Sequence, residues 1–449
     1  MPRWRKCIMA DAAIAARRPQ GLAAWGSALG AAASSLRARI GNTAGHAGAA
    51  LRGPFAKWVA GRSGFDANAS PARSGPVSIL VLSASVGSGH TRAAEAVCDA
   101  APARGAAVRV THLDALGLMP ASFRRVYSGW YLALAGHHPD LWSWLYRATN
   151  DPTPESWAGR LRRLVERMHA RRLLRQVAVA RPDIVLCTHF MPAELLAREV
   201  LEGRLRCPVW VAVTDFDLHR MWVHQGIAGY FAASEEVAYR MRARQISPER
   251  IHVTGIPVMQ DFQRHFDRRA CGRRLGINPQ RTTLLLMGGG AGFGTLAEVA
   301  RRLMQLPGDF QLLVLAGKNG VALDALQALA AQYPGRLLAT GFTSHVASWM
   351  ACADLVITKP GGLTVAESLA MGLPMIVQAA IPGQEERNAD FLLEQGAALK
   401  ATDGVTLEYR VRYLLDHPEA LASMRQRARA LGRGDAARAV LRILMDAAS

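Results

Sequence analysis

Twice along the chain, short aliphatic and β-branched runs end in glycine-containing loops and give way to helical patterns. The first series opens with Val77-Ser78-Ile79-Leu80-Val81-Leu82 and continues through Val108–His112, Ile184–Cys187, Val209–Val213, Gly229–Ala232 and Ile251–Val253. The second comprises Thr283–Met287, Gln311–Leu315, Arg336–Thr340, Leu355–Ile357 and Met375–Val377. Strand patterns alternating with helical ones are the signature of a parallel sheet with covering helices. Two such series predict two Rossmann-like α/β domains facing across a cleft. The length of 449 residues agrees, because it exceeds what one ordinary hydrophobic core organises. The expected division is 1–75 as a flexible, basic Ala/Gly-rich extension, 76–260 and 261–430 as the two domains, and 431–449 as a basic C-terminal helix. An Arg- and Asp-rich linker after Pro257 separates the two series.

Composition narrows the class. Half the residues are hydrophobic and 20% are charged, as in soluble globular proteins. No window approaches the run of about 18 apolar residues that a membrane-spanning helix needs. Six scattered cysteines, with no C-x-x-C pair and no zinc-like histidine spacing, predict reduced thiols in a cytosolic protein and no metal site. The net charge of +19 calls for an anionic partner, and nucleic acid, an acidic membrane surface and a nucleotide all qualify. The competing explanation is an Ala/Arg-rich composition. Residues 1–75 alone hold 11 Lys/Arg against two Asp, with isolated Trp4, Trp25 and Trp58. That segment lacks a secretory-signal pattern and reads as disordered or weakly membrane-attached.

One stretch breaks the alternation. Met119–Gln176 contains Trp130, Tyr131, Trp142, Trp144, Tyr146 and Trp157 interleaved with Arg124, Arg125, Arg147, Arg160, Arg162 and Arg163. Aromatic rings beside guanidinium groups suit the membrane–water boundary. They suit stacking on nucleic-acid bases equally well. An ordinary helical subdomain with tryptophans in its core is the third reading.

Chemistry in such folds sits on the loops at the carboxyl ends of the strands. Ser85-Val86-Gly87-Ser88-Gly89-His90 follows the first strand and opens a helix, whose N-terminus favours an anion. His90 is a candidate general base. Asp114 closes the second strand and admits a dinucleotide reading, but Arg92 stands at the third glycine position. Gly288-Gly289-Gly290-Ala291-Gly292-Phe293-Gly294 exposes consecutive amides suited to a diphosphate and lacks the ending of an ATP-binding P-loop. In Gly341-Phe342-Thr343-Ser344 an aromatic ring and free backbone groups can frame a base. The fourth loop, Lys359-Pro360-Gly361-Gly362-Leu363-Thr364, precedes a helix whose amides point at phosphate, with Glu367 one turn in to accept from ribose hydroxyls. Beyond it, Ile381-Pro382-Gly383-Gln384-Glu385-Glu386-Arg387-Asn388 offers groups for sugar hydroxyls.

Together these loops resemble the monogalactosyldiacylglycerol synthase and processive diacylglycerol glucosyltransferase family, of the GT-B fold. The resemblance runs from about Pro76 to the C-terminus and leaves residues 1–75 outside. Its strongest pieces are Gly87-Ser88-Gly89-His90, Val213-Thr214-Asp215-Phe216-Asp217-Leu218-His219, Thr254-Gly255-Ile256-Pro257-Val258, Lys359–Glu367, and Pro382-Gly383-Gln384-Glu385 with Asn388. The first of these is not all-glycine but keeps the histidine.

The resemblance implies an inverting transfer from a UDP-sugar to diacylglycerol or a related lipid, with His90 taking the acceptor proton. Gly289, Gly290, Gly361, Gly362, Leu363 and Thr364 would hold the diphosphate, Glu367 the ribose, and Gly341 and Phe342 the uracil. Gln384, Glu385 and Asn388 would meet the sugar or phosphates, and Asp215 would help near the acceptor. No cofactor, metal or nucleic acid enters this scheme. UDP-glucose and UDP-galactose are both open as donors. The protein would sit peripherally on the cytoplasmic face of the cell membrane, using Trp130, Tyr131, Trp142, Trp144 and Arg147 against anionic lipid. Two rival readings are a GT-B enzyme handling UDP-N-acetylglucosamine (a lipid-linked transferase or an epimerase) and a non-enzymatic nucleotide-sugar or nucleic-acid binder. The intact His90, Glu367 and Gln384 set argues against a dead enzyme.

Overall fold

A computed structural model describes residues 75–101, 107–121, 124–125, 139–150, 170–288, 296–378 and 380–448. The expected extension therefore lies outside the described residues, apart from Gly75, and residues 73–449 form one compact unit.

Its first half runs β1 Val77–Ser83, α1 Ser88–Asp99, β2 Val108–Asp114, α2 Pro139–Asn150, α3 Arg171–Ala180, β3 Ile184–Cys187, α4 Phe190–Leu201, β4 Val209–Ala212, β5 Gly229–Ala232, α5 Glu235–Ala243 and β6 Ile251–Val253. The second half runs α6 Arg268–Leu275, β7 Thr282–Met287, α7 Leu296–Met304, β8 Phe310–Leu315, α8 Gly320–Ala330, β9 Leu337–Thr340, α9 Val346–Cys352, β10 Leu355–Thr358, α10 Gly362–Ala370, β11 Met375–Val377, α11 Gln384–Glu394 and β12 Ala398–Lys400. Three helices close the chain: α12 Gly404–Asp416, α13 Pro418–Leu431 and α14 Ala436–Ala448.

The strands form two parallel six-stranded sheets, ordered β2-β1-β3-β4-β5-β6 and β12-β11-β10-β7-β8-β9. Strands such as β3, β4 and β10 are buried at every residue, because helices cover both faces of a parallel sheet. That is why they read as continuous apolar runs. Each sheet reverses its direction of growth once, between β1 and β3 in the first and between β7 and β10 in the second. Crevices open at such reversals, outside the carboxyl ends of the strands. The His90 loop and the Lys359–Gly362 loop stand at these two points. Among the described residues no helix is long and apolar enough to cross a membrane.

Two elements depart from the pattern expected of the sequence. The second sheet has a sixth strand, β12, whose three residues Ala-Leu-Lys carry no β-branched signal. The C-terminal helix expected over 431–449 is preceded by a separate helix, α13, and itself runs Ala436–Ala448. This last helix, α14, returns to the first domain, where Val440, Leu441 and Leu444 join Ile79, Val81, Ile184 and Phe231 in one buried cluster. The C-terminal segment thus ties the second half of the chain to the first sheet. Each of these buried aliphatic side chains contributes roughly 1.5–3 kcal/mol.

Candidate active site between two helix N-termini

At the first reversal, β1 runs out at Ser83 and the chain turns into α1. Asp114, at the end of the neighbouring β2, sets this turn by accepting from the Ser85 amide at 3.0 Å and the Ser85 hydroxyl at 2.7 Å. Its carboxylate is occupied in shaping the loop, which removes the dinucleotide reading its position had admitted. Helix α1 starts at Gly87 without a side-chain cap, so its first amides are left for another acceptor.

His90 lies in that first turn. Its Nδ1 is 3.0 Å from the carbonyl oxygen of Thr188 and 2.8 Å from Oγ1 of Thr214. A carbonyl only accepts, so Nδ1 carries the proton and Nε2 holds the lone pair. Among the described residues Nε2 makes no hydrogen bond. Burial drives the imidazole pKa down to about 4, against the Thr188 carbonyl bond that favours the charged form, so the ring is neutral at neutral pH. The edge of His189 meets the His90 ring at 4.6 Å between centroids, and Phe190 and Trp222 complete an aromatic wall behind them. His189 is itself buried and held neutral, chiefly by desolvation, and its Nδ1 accepts from the Met191 amide.

At the second reversal, β10 leads through Lys359 and Pro360 into α10. This helix also starts at a glycine, Gly361, with no side-chain cap, and the amides of Gly362, Leu363 and Thr364 are its first free donors. Glu367, one turn in, is only 7% exposed. Burial raises its carboxyl to about 7, and the Arg92 guanidinium on α1 opposes the shift. No hydrogen bond satisfies this carboxyl among the described residues, so it is open to a ligand's hydroxyls. Phe342, past the end of β9, is 70% exposed with Lys318 Nζ 5.4 Å over its ring. Gly341 packs against Leu323 and the Gly317 carbonyl. Strand β9 is three places from β10, about 14 Å at ordinary strand spacing. Gly289 and Gly290 lie outside the described residues.

The two crevices meet at Thr214. A β-carbon on Gly362 would collide with the Thr214 carbonyl oxygen, and one on Gly89 would lie 3.7 Å from Leu363 Cβ. The two glycine-opened helices therefore abut, and Thr214 touches the histidine with its hydroxyl and α10 with its backbone.

Three residues expected at substrate make bonds within the protein, two of them across this seam. Asn388 is fully buried; its Oδ1 accepts from the Phe216 amide at 2.7 Å, and its Nδ2 donates to Asp215 Oδ1 and the Pro360 carbonyl. Its amide group is thereby satisfied within the protein, and Asn388 acts as a cross-domain clamp. Asp215 lies beside it, half-buried, with its carboxyl pushed up to about 6 by burial, a shift the Asn388 bond opposes. Glu385 binds Lys359 Nζ at 3.1 Å and the Ile381 amide at 2.8 Å, which fixes the turn before α11. Gln384, the first residue of α11, is half-buried beside that turn.

Of the aromatic insert, Trp130 and Tyr131 lie outside the described residues, as does the side chain of Trp144. On α2, Trp142 is half-buried, Leu141 is exposed, and exposed Arg147 donates to the Ser143 carbonyl. Sequence reasoning gave no role to Thr188, His189, Thr214 or Trp222. Their signal was positional, since the first two follow β3 at the crevice itself.

Two parallel α/β domains meeting at their switch points, with a neutral imidazole on one and an uncapped helix start on the other, define the GT-B fold. The monogalactosyldiacylglycerol (MGDG) synthase family model matches residues 90–258, and that of the glycosyltransferase family 28 C-terminal domain matches residues 283–440. The processive diacylglycerol beta-glucosyltransferase of Bacillus licheniformis is 30% identical over 280 residues, 61% of this chain and 71% of that protein. The Bacillus pumilus enzyme of the same name is 29% identical and is covered over 90% of its length by 79% of this chain. A probable monogalactosyldiacylglycerol synthase 2 of rice is 29% identical over 72% of this chain and 71% of its own. The chain belongs to this family of monogalactosyldiacylglycerol synthases and processive diacylglycerol glucosyltransferases. Among solved structures, MurG of Acinetobacter baumannii superposes with a TM-score of 0.55 at 18% identity, over 83% of this chain and all of that one. A UDP-GlcNAc 2-epimerase of Neisseria meningitidis superposes with 0.53 at 13%, over 82% of this chain and all of that one. At these identities both share the fold alone.

The seam makes a direct prediction. Gly362→Ala forces its methyl into a backbone carbonyl that has no rotamer to retreat into, so it is expected to cost about 1–3 kcal/mol. Denaturant unfolding measures this, and an unchanged midpoint would mean that the helices do not abut as described.

Proposed function

We propose that the protein moves a hexose from UDP-glucose or UDP-galactose to the free hydroxyl of diacylglycerol, inverting the anomeric carbon to give a β-glycolipid. The relatives' named activities supply the acceptor class. The observation that carries the reading is His90, whose neutral ring presents an unpartnered Nε2 beside the uncapped start of α10.

In this reading the diphosphate rests on the amides of Gly362, Leu363 and Thr364, Glu367 accepts from the ribose hydroxyls, and Phe342 stacks on uracil. The acceptor oxygen attacks the anomeric carbon while Nε2 takes its proton. The bond from that carbon to the diphosphate breaks, and UDP leaves with the electron pair. Charge growing on the leaving group meets the dipole and free amides of α10, fixed before the reaction begins. Negative charge in the cleft also favours the imidazolium, so the donor itself makes His90 a stronger base than it is in the free protein. No cofactor is required by this scheme.

The outward face of α2, with Leu141 and Arg147, suits a peripheral site on anionic lipid at the cytoplasmic side of the membrane. Nucleic acid has no place in this reading of the basic charge. A Leu141→Glu/Arg147→Glu variant is expected to co-sediment with anionic vesicles less than the wild type does; equal sedimentation would remove this face from the account.

The activity is tested with purified protein, diacylglycerol, and UDP-glucose or UDP-galactose in parallel. Glycolipid should form with at least one donor, and His90→Ala should lower kcat by about 10²–10⁴-fold. Full activity in that variant overturns the base assignment, and UDP-sugar turnover that ignores lipid favours the epimerase reading.

A further inference from the structure

Helix α2 is the one described piece of the aromatic insert long enough to show what the insert does, and its inner face points away from any membrane role. The C-terminal end of α2 is pinned to the loop after β4. Asn150 Oδ1 accepts from the Arg220 amide and from Arg244 Nη2, both at 2.9 Å. His219 is almost fully buried beneath it. Its Nδ1 accepts from the Met221 amide, which leaves the proton on Nε2, 3.1 Å from the Tyr146 carbonyl. The rings of Tyr146 and His219 lie 4.5 Å apart.

From this anchored position Tyr146 reaches the second domain. Gly383 starts α11 with φ +94° and ψ −110°, backbone angles that side chains rarely adopt. A β-carbon there would lie 2.7 Å from Tyr146 Cγ and 2.9 Å from both Cδ atoms. The ring thus lies directly over a glycine that could be no other residue for two separate reasons. The next two residues are Gln384 and Glu385, and the Gly383 amide donates to Glu386 Oε2 to complete the turn. A change at Tyr146 therefore moves the start of α11, whereas the helix that faces the diphosphate, α10, is held elsewhere by Thr214.

We infer that Tyr146 is a positioning residue for the hexose end of the donor, holding the Gly383–Gln384 turn in place from the other side of the cleft. The inference rests on the donor-binding reading above and adds a determinant from the insert. It makes α2 a strap from the acceptor-side domain onto the loop that meets the sugar.

The test is calorimetric binding of UDP and of the two UDP-sugars to the full chain, with transfer kinetics alongside. In Tyr146→Ala the UDP-sugar that the wild type binds should weaken about tenfold, and bare UDP should change less than about twofold. The donor KM should rise with little change in kcat. Tyr146→Phe keeps a ring over Gly383 and should restore the wild-type values. Gly383→Ala, which strikes the same contact from the other side, should reproduce the split. A purely structural role would instead lower the unfolding midpoint and the active fraction, reducing kcat and leaving the two affinities in their wild-type ratio. That result, equal weakening of UDP and UDP-sugar, or a Tyr146→Phe variant as impaired as the alanine one, overturns the inference. If the wild type binds UDP-sugars but transfers to no lipid, the proposed activity fails while the affinity split still decides the role of Tyr146. If the wild type binds no UDP-sugar, both fall.

Discussion

The contact on which the site depends is the double one made by Thr214. Its hydroxyl accepts a hydrogen bond from His90 Nδ1, and its carbonyl is pressed against Gly362 so closely that no β-carbon fits between. The orientation of the His90 ring and the start of α10 are therefore fixed by the same residue. A GT-B enzyme must bring groups from two domains to one reacting centre, and a shared backbone contact removes much of the freedom that would blur their spacing. The Asn388 amide, bonded to both Phe216 and Pro360, and the stacked rings of Phe216 and Phe391 at 4.6 Å hold the rest of the seam.

Burial shifts three titratable groups of the cleft towards their neutral forms. His90 is neutral because desolvation outweighs the carbonyl bond that would favour its cation, and Glu367 and Asp215 are both raised by the same physical cause. Beside these groups stand two uncapped helix N-termini. Their fixed amides offer positive potential without the reorganisation that mobile side chains would require. Lys359 is already paired with Glu385, so what this loop offers a ligand is backbone amide rather than a free cation.

Much of this was legible in the sequence, and the boundary follows the range of the interaction. The strands were readable because their residues are buried on both faces, and the loops because glycine before a helix has a local conformational reason. The position of Glu367 one turn into α10 was readable from its spacing alone. Asn388 was not, because its partners Phe216 and Pro360 are 172 and 28 residues away. A polar residue in this segment gives no sign that another domain will use up its amide. Tyr146 was hidden for the same reason: in the sequence it was one aromatic among several in an insert, and only the contact with Gly383 separates it from them. Family resemblance singled out His90, but its protonation state comes from Thr188, which no motif marked, and from Thr214, which the resemblance quoted without a role.

The central claim is that His90 waits as a neutral imidazole with its lone pair on Nε2. Nitrogen-15 NMR of the labelled imidazoles, with the His90 signal identified by its loss in a His90 variant, measures this directly across a pH titration. Because the folded pKa is depressed below 6.5, to about 4, the ring should remain the Nδ1–H neutral tautomer from pH 8 down to about 5 and gain its second proton only below that. A ring already cationic at pH 6, or a neutral ring with its proton on Nε2, would contradict the account.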